Sequence, residues 1–288
     1  MTFLILGAGG QLGREWQHYL EKRDEPFNAY DSSDIDIANY LALQKTVEND
    51  QPDVVVNCAA YTNVDRAEEE RARALEVNAE AAGQLARICQ AGGATLVHYS
   101  TDYVFPGREK DRTRHPEGYP EDHEASPINW YGETKWRGEQ AVRASGADHL
   151  IIRTSWLCGQ YGANFVTKMM ERSEQKQPIK VVNDQFGCPS FAENVVANSY
   201  NLVDRKRSGT YHVTSDGILT WFELAQTLFG MLDSKVSLEA VPSDAFPTKA
   251  DRPAFSKLSI EKLRQVPGAE IWDWQFGLKK LIHKLKKN

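Results

Sequence analysis

Hydrophobic positions in the first half of the chain follow two alternating rhythms. Short, nearly continuous apolar runs occur at Phe3–Leu6, Phe27–Tyr30, Val54–Asn57, Thr95–Ser100 and Leu150–Arg153. Runs of this length without polar alternation suit parallel strands covered on both faces. Between them, residues 11–23, 39–49, 66–91 and 130–145 carry apolar positions at helical spacing. Gly92-Gly93 stops the third of these as a C-terminal cap would, and Pro52-Asp53 introduces the third strand. Strands alternating with helices predict an α/β fold built on a doubly wound parallel sheet. Beyond residue 154 the pattern loosens. Helices are expected at 162–175, 192–204, 220–231 and 272–286, and short strands near 179–182, 210–213 and 236–240. Segment 106–129, rich in Pro, Gly and charge, reads as a long loop beside the site.

Composition narrows the class of partner. The 288 residues are 41% hydrophobic, 26% charged and 10% aromatic, which is ordinary for a globular protein. A net charge of −6 argues against a nucleic-acid surface but permits a small anion at a helix N-terminus. The four cysteines, Cys58, Cys89, Cys158 and Cys188, show no CxxC spacing. They read as free thiols of a cytoplasmic protein, with no metal site. Met1 leads directly into Thr2–Leu6, too short for a signal peptide, and no apolar run approaches the ~18 residues of a membrane span. The Lys-rich end reads as a terminal helix with Leu278, Leu281, Ile282 and Leu285 turned inward.

Candidate chemistry begins directly after the first strand. Gly7-Ala8-Gly9-Gly10-Gln11-Leu12-Gly13 opens a helix in the position where a Rossmann-type turn cradles a dinucleotide pyrophosphate. This turn makes residues 1–154 a dinucleotide-binding domain and leaves 155–288 mainly as a substrate-binding lobe, with later segments returning to the first. Asp31, eighteen residues past Gly13, stands where a carboxylate accepts from the adenosine ribose hydroxyls. No Arg or Lys lies between Phe27 and Leu43, so nothing local favours a 2′-phosphate. Asp36-Ile37 follows as a border for the adenine, and the small residues of Asn57-Cys58-Ala59-Ala60-Tyr61 let a cofactor lie close over the third strand's end.

Tyr131 and Lys135 are four apart in the fourth helical stretch and so share a face. The ammonium is expected to favour the phenolate and lower the tyrosine pKa from its usual value near ~10. Thr101, at the end of the fourth strand, would position a carbonyl oxygen by hydrogen bonding. Together the features predict a ketone reduction: hydride from NADH or NADPH, and a proton from Tyr131.

These motifs resemble the extended short-chain dehydrogenase/reductase family, in its nucleotide-sugar branch of dTDP-4-dehydrorhamnose reductases. The stretches that carry the resemblance run collinearly along the chain: Leu6–Gly13, Val56–Asp65, His98–Phe105, Tyr131–Lys135, Arg153–Trp156, Asn183–Pro189 and Arg252-Pro253. The resemblance implies reduction of the 4-keto group of a dTDP-6-deoxy sugar. It implies that Gly10, Gln11, Leu12, Asp31, Asp36, Ile37, Ala59, Ala60 and Tyr61 border the cofactor, and that Thr101, Asp102 and Trp156 contact the sugar nucleotide. It also implies a homodimer, in some members with magnesium at the interface. Segment 108–123 is longer and more charged than the family's usual loop, so disorder without ligand is an expectation there. Relatives with the same fold include epimerases, dehydratases and a non-catalytic regulatory subunit. A dehydratase needs an Asp-Glu pair beside the threonine, where this chain has Asp102-Tyr103.

The carboxylate at Asp31 predicts that NADH serves at least as well as NADPH. Comparing kcat/KM for the two cofactors checks this, and a large preference for NADPH would remove Asp31 as the selecting group.

Overall fold

A computed structural model describes residues 1–173 and 178–287. In chain order its principal elements are β1 (Phe3–Leu6), α1 (Gln11–Glu21), β2 (Phe27–Tyr30), α2 (Tyr40–Asp50), β3 (Val54–Asn57), α3 (Ala81–Gly92), β4 (Thr95–Thr101) and α4 (Trp130–Ala144). There follow β5 (His149–Thr154), α5 (Phe165–Arg172), α6 (Ala192–Asp204), β6 (Gly209–His212), α7 (Trp221–Met231) and α8 (Trp274–Leu285). The helix expected at 162–175 begins at Phe165, and its positions 174 and 175 lie outside the described residues.

The six strands form one parallel sheet in the order β6-β5-β4-β3-β1-β2, with Phe3 opposite both Phe27 and Val54. Strand order reverses between β1 and β3, the switch point at which open α/β sheets bind ligands beyond their carboxyl ends. The sheet is covered on both faces. Phe3, Ile5, Val54 and Val56 pack with Trp16 and Leu20 of α1 and with Val195 and Val196 of α6. Leu4, Leu6 and Val55 pack with Leu43 and Val47 of α2 and with Leu85 and Ile88 of α3. Burial on two faces is why these strands carry no polar alternation.

Residues 192–212 thus return to the sheet, α6 as a covering helix and β6 as its edge strand. A second core forms from later segments: Val166 and Met169 of α5, Leu224 and Leu228 of α7, and Leu278, Leu281 and Ile282 of α8. A strand at Ile179–Val182 pairs with Leu238–Val241 in parallel beside it.

Two expectations are corrected. The single helix at 66–91 is instead a short helix at Val64–Ala67, another at Arg71–Leu75, a π turn at Glu76–Glu80, and then α3. The break has a cause in Asn78 of the π turn. Its carboxamide accepts from the Tyr61 backbone N–H at 2.8 Å and donates to the Tyr61 carbonyl and to Thr134 Oγ1, both at 3.0 Å. A bulged turn aims it there, as such turns commonly do at functional sites. Segment 108–123, expected to be loose, is ordered. Tyr119 stacks on Phe105 with ring centroids 4.7 Å apart, its hydroxyl donates to Asp111, and Val104, Phe255 and Leu258 complete a small core with it.

Beneath the sheet's carboxyl end lies a buried ion network. Glu139 of α4 accepts from Arg153 Nη2 at 2.7 Å, from Arg143 at 2.6 Å and from Ser100 Oγ at 2.6 Å. Burial alone would raise its pKa, but the arginines and Ser100 outweigh this and hold it below the ordinary carboxylate range. Arg153→Met strands most of a buried charge and is expected to cost about 3–5 kcal/mol in urea unfolding. Adding Glu139→Leu should recover part of that loss. A single variant as stable as the parent would show that the pair contributes nothing.

Candidate active site

The glycine turn needs its first glycine. Gly7 sits at φ +77°, where L side chains are strained, and a Cβ there would lie 2.6 Å from the Ala59 backbone nitrogen. This close approach seats β1's turn against the end of β3. Gly10 is the N-cap of α1 and provides no side-chain cap, and the first turn carries no acidic residue. The opening N–H groups of α1 are therefore left for an anion, which suits a pyrophosphate.

A cleft of about 1180 Å³ runs from this turn across the carboxyl ends of the strands. Every residue assigned to the site from sequence lines it. At one end are Gly7, Gly10, Gln11 and Leu12; above β2 and the loop after it are Asp31, Asp36 and Ile37; over β3 are Ala59, Ala60 and Tyr61. At the other end stand Thr101, Asp102, Tyr131, Lys135 and Trp156.

Asp31 is a half-buried carboxylate whose Oδ1 accepts from both the backbone N–H and the hydroxyl of Ser33 at 2.7 Å, which lowers its pKa. The absence of cations read locally from sequence does not hold in space. Arg14 and Arg73 line the same cleft, and Arg73 pairs with Asp36 at 2.9 Å and with Glu76 at 2.7 Å. Arg73 comes from a helix more than thirty residues downstream, so the spacing around Asp31 could not reveal it.

The end of the cleft that holds Thr101, Tyr131 and Lys135 depends on how closely α4 approaches β4. Asn129 caps the helix, its Oδ1 accepting from Gly132 N at 2.8 Å. A Cβ at Gly132 would stand 2.2 Å from the Tyr103 carbonyl oxygen, so only glycine lets α4 sit on the turn at Asp102–Val104. Tyr131 then packs edge-on to Tyr103, ring centroids 5.8 Å apart. Lys135, only 2% exposed, donates from Nζ to the Tyr99 carbonyl at 2.6 Å.

The expected lowering of the tyrosine pKa is overturned. Burial pushes the Tyr131 phenol up to about 12; the Thr101 hydroxyl opposes this and the Asp102 carboxylate adds to it. Burial likewise lowers Lys135 to about 8, against the favourable charge of Glu139. The physical reason is desolvation: a phenolate in this cleft loses more hydration than the lysine, itself turned to a backbone carbonyl, returns. A raised pKa keeps the phenol loaded, which suits a donor of protons to an alkoxide.

Trp156 is half-buried, packed against the second core on one side and lining the cleft on the other. It holds φ +44° and stacks face-on against Trp221 at 3.6 Å and 13°. Trp221, which sequence reasoning missed, lines the first cleft and a second one of about 790 Å³, as does Phe165. Arg108, Lys180 and Arg252 converge on this second cleft beside Phe246. Arg252 Nη2 donates to Asp65 at 2.8 Å, while its buried Nη1 has no partner among the described residues. Arg252 lies in one of the stretches that carry the family resemblance, but Arg108 and Lys180 belong to distant segments with no motif of their own, so no signal in the sequence joined them to it. Among the described residues no group of three or more His, Cys, Asp or Glu could hold a metal ion, and no helix is long and apolar enough to cross a membrane.

Residues 1–287 match the family described as RmlD substrate binding domain. The chain is 36% identical to the dTDP-4-dehydrorhamnose reductase of Escherichia coli K12, over 99% of this chain and 98% of that one. It is 37% identical to a dTDP-4-keto-6-deoxy-D-glucose reductase of Streptomyces niveus, covering 96% and 94%. The crystal structure of a dTDP-4-dehydrorhamnose reductase from Bacillus anthracis in complex with NADP superposes with a TM-score of 0.93, 37% identity and coverage of 98% and 99%. A UDP-glucose 4-epimerase from Thermus thermophilus, 18% identical with a TM-score of 0.84, shares the fold. With a match along nearly its whole length and relatives 36% and 37% identical, the chain belongs to the RmlD substrate-binding-domain family.

Proposed function

We propose that this chain is an NAD(P)H-dependent oxidoreductase that reduces the 4-keto group of dTDP-4-dehydro-6-deoxy-L-mannose (dTDP-4-dehydrorhamnose) to give dTDP-L-rhamnose, with Tyr131 as proton donor. The observation that carries the reading is the convergence of Thr101, Tyr131 and Lys135 at one end of a cleft whose other end is an uncapped glycine turn. The fit for a dinucleotide is in the chain itself: open N–H groups at α1, a Cβ-free turn against Ala59, and Asp31 beside it. When bound there, the dihydronicotinamide supplies the hydride.

The chain's own residues do the rest. Thr101 orients the substrate oxygen. Tyr131 holds its proton until negative charge develops on that oxygen, then transfers it. Lys135, fixed on the Tyr99 carbonyl, places positive charge beneath the nicotinamide ribose and the phenolate. The second cleft takes the nucleoside diphosphate. Arg108, Lys180 and Arg252 face the phosphates, while Phe165, Trp221 and Phe246 offer apolar surface to the base. On this reading residues 1–154 bind the dinucleotide and 155–288 mainly bind substrate, with 192–212 structurally part of the first unit. A homodimer, as the resemblance implies, in the cytoplasm, as the scattered free cysteines suggest, completes it; no step uses a metal.

Tyr131→Phe is expected to lower kcat by about 10²–10⁴-fold while leaving NADPH binding within about twofold. Loss of reduced-nicotinamide absorbance with the 4-keto sugar nucleotide gives the rate, and cofactor fluorescence gives the binding. A variant turning over at the parent rate would remove Tyr131 from the chemistry. Arg252→Ala should chiefly raise KM, because one phosphate-facing cation is lost while the reacting end is untouched. An unchanged KM would place the diphosphate elsewhere.

A further inference from the structure

A hydroxyl carries one proton, and that count creates a conflict at Thr101. Its Oγ1 accepts from the Tyr103 backbone N–H at 3.2 Å and donates to Asp102 Oδ1 at 2.9 Å. In that state Thr101 has no proton left for a substrate oxygen, which is the task the proposed reduction gives it. Asp102 is 3% exposed and lines the cleft, and its second oxygen, Oδ2, is buried without a hydrogen-bond partner among the described residues. The Ser256 hydroxyl stands near enough to favour the charged form but makes no formed hydrogen bond to Oδ2, and a buried carboxylate oxygen left so is costly. A carboxylic acid in the same place is not: its O–H can run along the 2.9 Å contact toward Thr101, reversing the bond.

The geometry points to Asp102 as a positioning residue that works as the neutral acid, donating to Thr101 so that the threonine proton turns to the substrate's 4-oxygen. This inference rests on the reduction proposed above. The proton balance stays simple. Hydride forms the new C–H bond at C4, the C=O π pair moves to oxygen, and Tyr131 gives up its O–H proton to that oxygen. Asp102 and Thr101 neither gain nor lose a proton in the step.

Burial raises the Asp102 carboxyl to about 7, opposed by the nearby Ser256 and Thr101 hydroxyls and by backbone N–H groups. The titratable and charged groups around it are Tyr103 on its own turn, Tyr131 on α4, and Arg252 and Asp65, which act on Tyr103. The sign follows. The acid form is present below about 7, so the rate is full there and declines as pH rises through that value. Lys135, with its pKa near 8, produces a second and later decline.

The test is a kcat profile across both values with saturating NADPH and the dTDP-4-keto sugar, alongside infrared pH-difference spectra of the enzyme. Wild type should lose about tenfold per pH unit beyond the first decline, and a carboxylic C=O band should titrate with it. Asp102→Asn, whose amide donates to Thr101 at every pH, should lose both the band and the first decline and keep that of Lys135. Thr101→Val, slower overall, should also lose the first decline, because Asp102 acts only through Thr101. A first decline that survives in either variant overturns the inference, as does a carboxylate at Asp102 well below 7. Wild type inert toward the keto sugar at every pH would instead sink the reduction itself, while the infrared titration would still report on Asp102.

Discussion

The structure turns on the seating of one helix against one strand end. Lys135 and Tyr131 stand at the sheet's carboxyl edge only because α4 comes close enough to β4 for Gly132 to pass the Tyr103 carbonyl. Two glycine hydrogens alone would not hold the helix there. The hold comes from Glu139, one turn past Lys135, whose carboxylate gathers Ser100 from β4 and Arg153 from β5. A buried carboxylate with three donors has essentially one position, so the strand that ends in Thr101 and the helix that carries Tyr131 are fixed to each other. An apolar trio in its place could bury equal area, but it would leave the helix free to slide by fractions of an ångström, and proton transfer depends on distances of that scale.

The same burial that rigidifies the site sets its charge state. Tyr131, Lys135 and Asp102 are each driven toward the neutral form by loss of water. For Lys135 the drift is limited by Glu139, so the network that positions the helix also helps to keep its lysine charged. For Tyr131 nothing comparable intervenes, and in the proposed reduction the phenol remains a reluctant acid until negative charge appears on the substrate. A donor of this kind protonates an alkoxide readily and solvent hardly at all.

Much of this was legible in the sequence, and the exceptions share a cause. The strand runs, the helix boundaries and the order of motifs all depend on local periodicity or on chain neighbours, and the structure follows them closely. The helix at 66–91 failed because Asn78 serves a distant backbone, at Tyr61, and local spacing carries no trace of that partner. Arg73 beside Asp36, and Trp221 beneath Trp156, were hidden for the same reason. The tyrosine–lysine spacing did place both groups on one face. Its electrostatic consequence could not be read, because the sign of a pKa shift depends on how much water the fold removes, a property of the packed whole.

Substrate grip and chemistry are joined mechanically as well. Asn129, the residue that caps α4 ahead of Tyr131, donates from its amide to the Asp251 carbonyl at 2.8 Å. The next residue, Arg252, is held by Asp65, and the Asp65 carboxylate also accepts from the Ala250 backbone N–H at 3.1 Å. The loop that faces the proposed diphosphate is thus tied on one side to the cap of α4 and on the other to the helix at Val64–Ala67, which follows the segment Ala59–Tyr61 that lines the cleft. A nucleotide sugar spans the distance from phosphate to 4-keto carbon through single bonds that rotate freely in water. On the proposed binding mode, fixing its two ends on mutually anchored groups removes that freedom before the reaction begins, and the binding energy of the nucleotide, remote from the reacting bond, is spent on orientation.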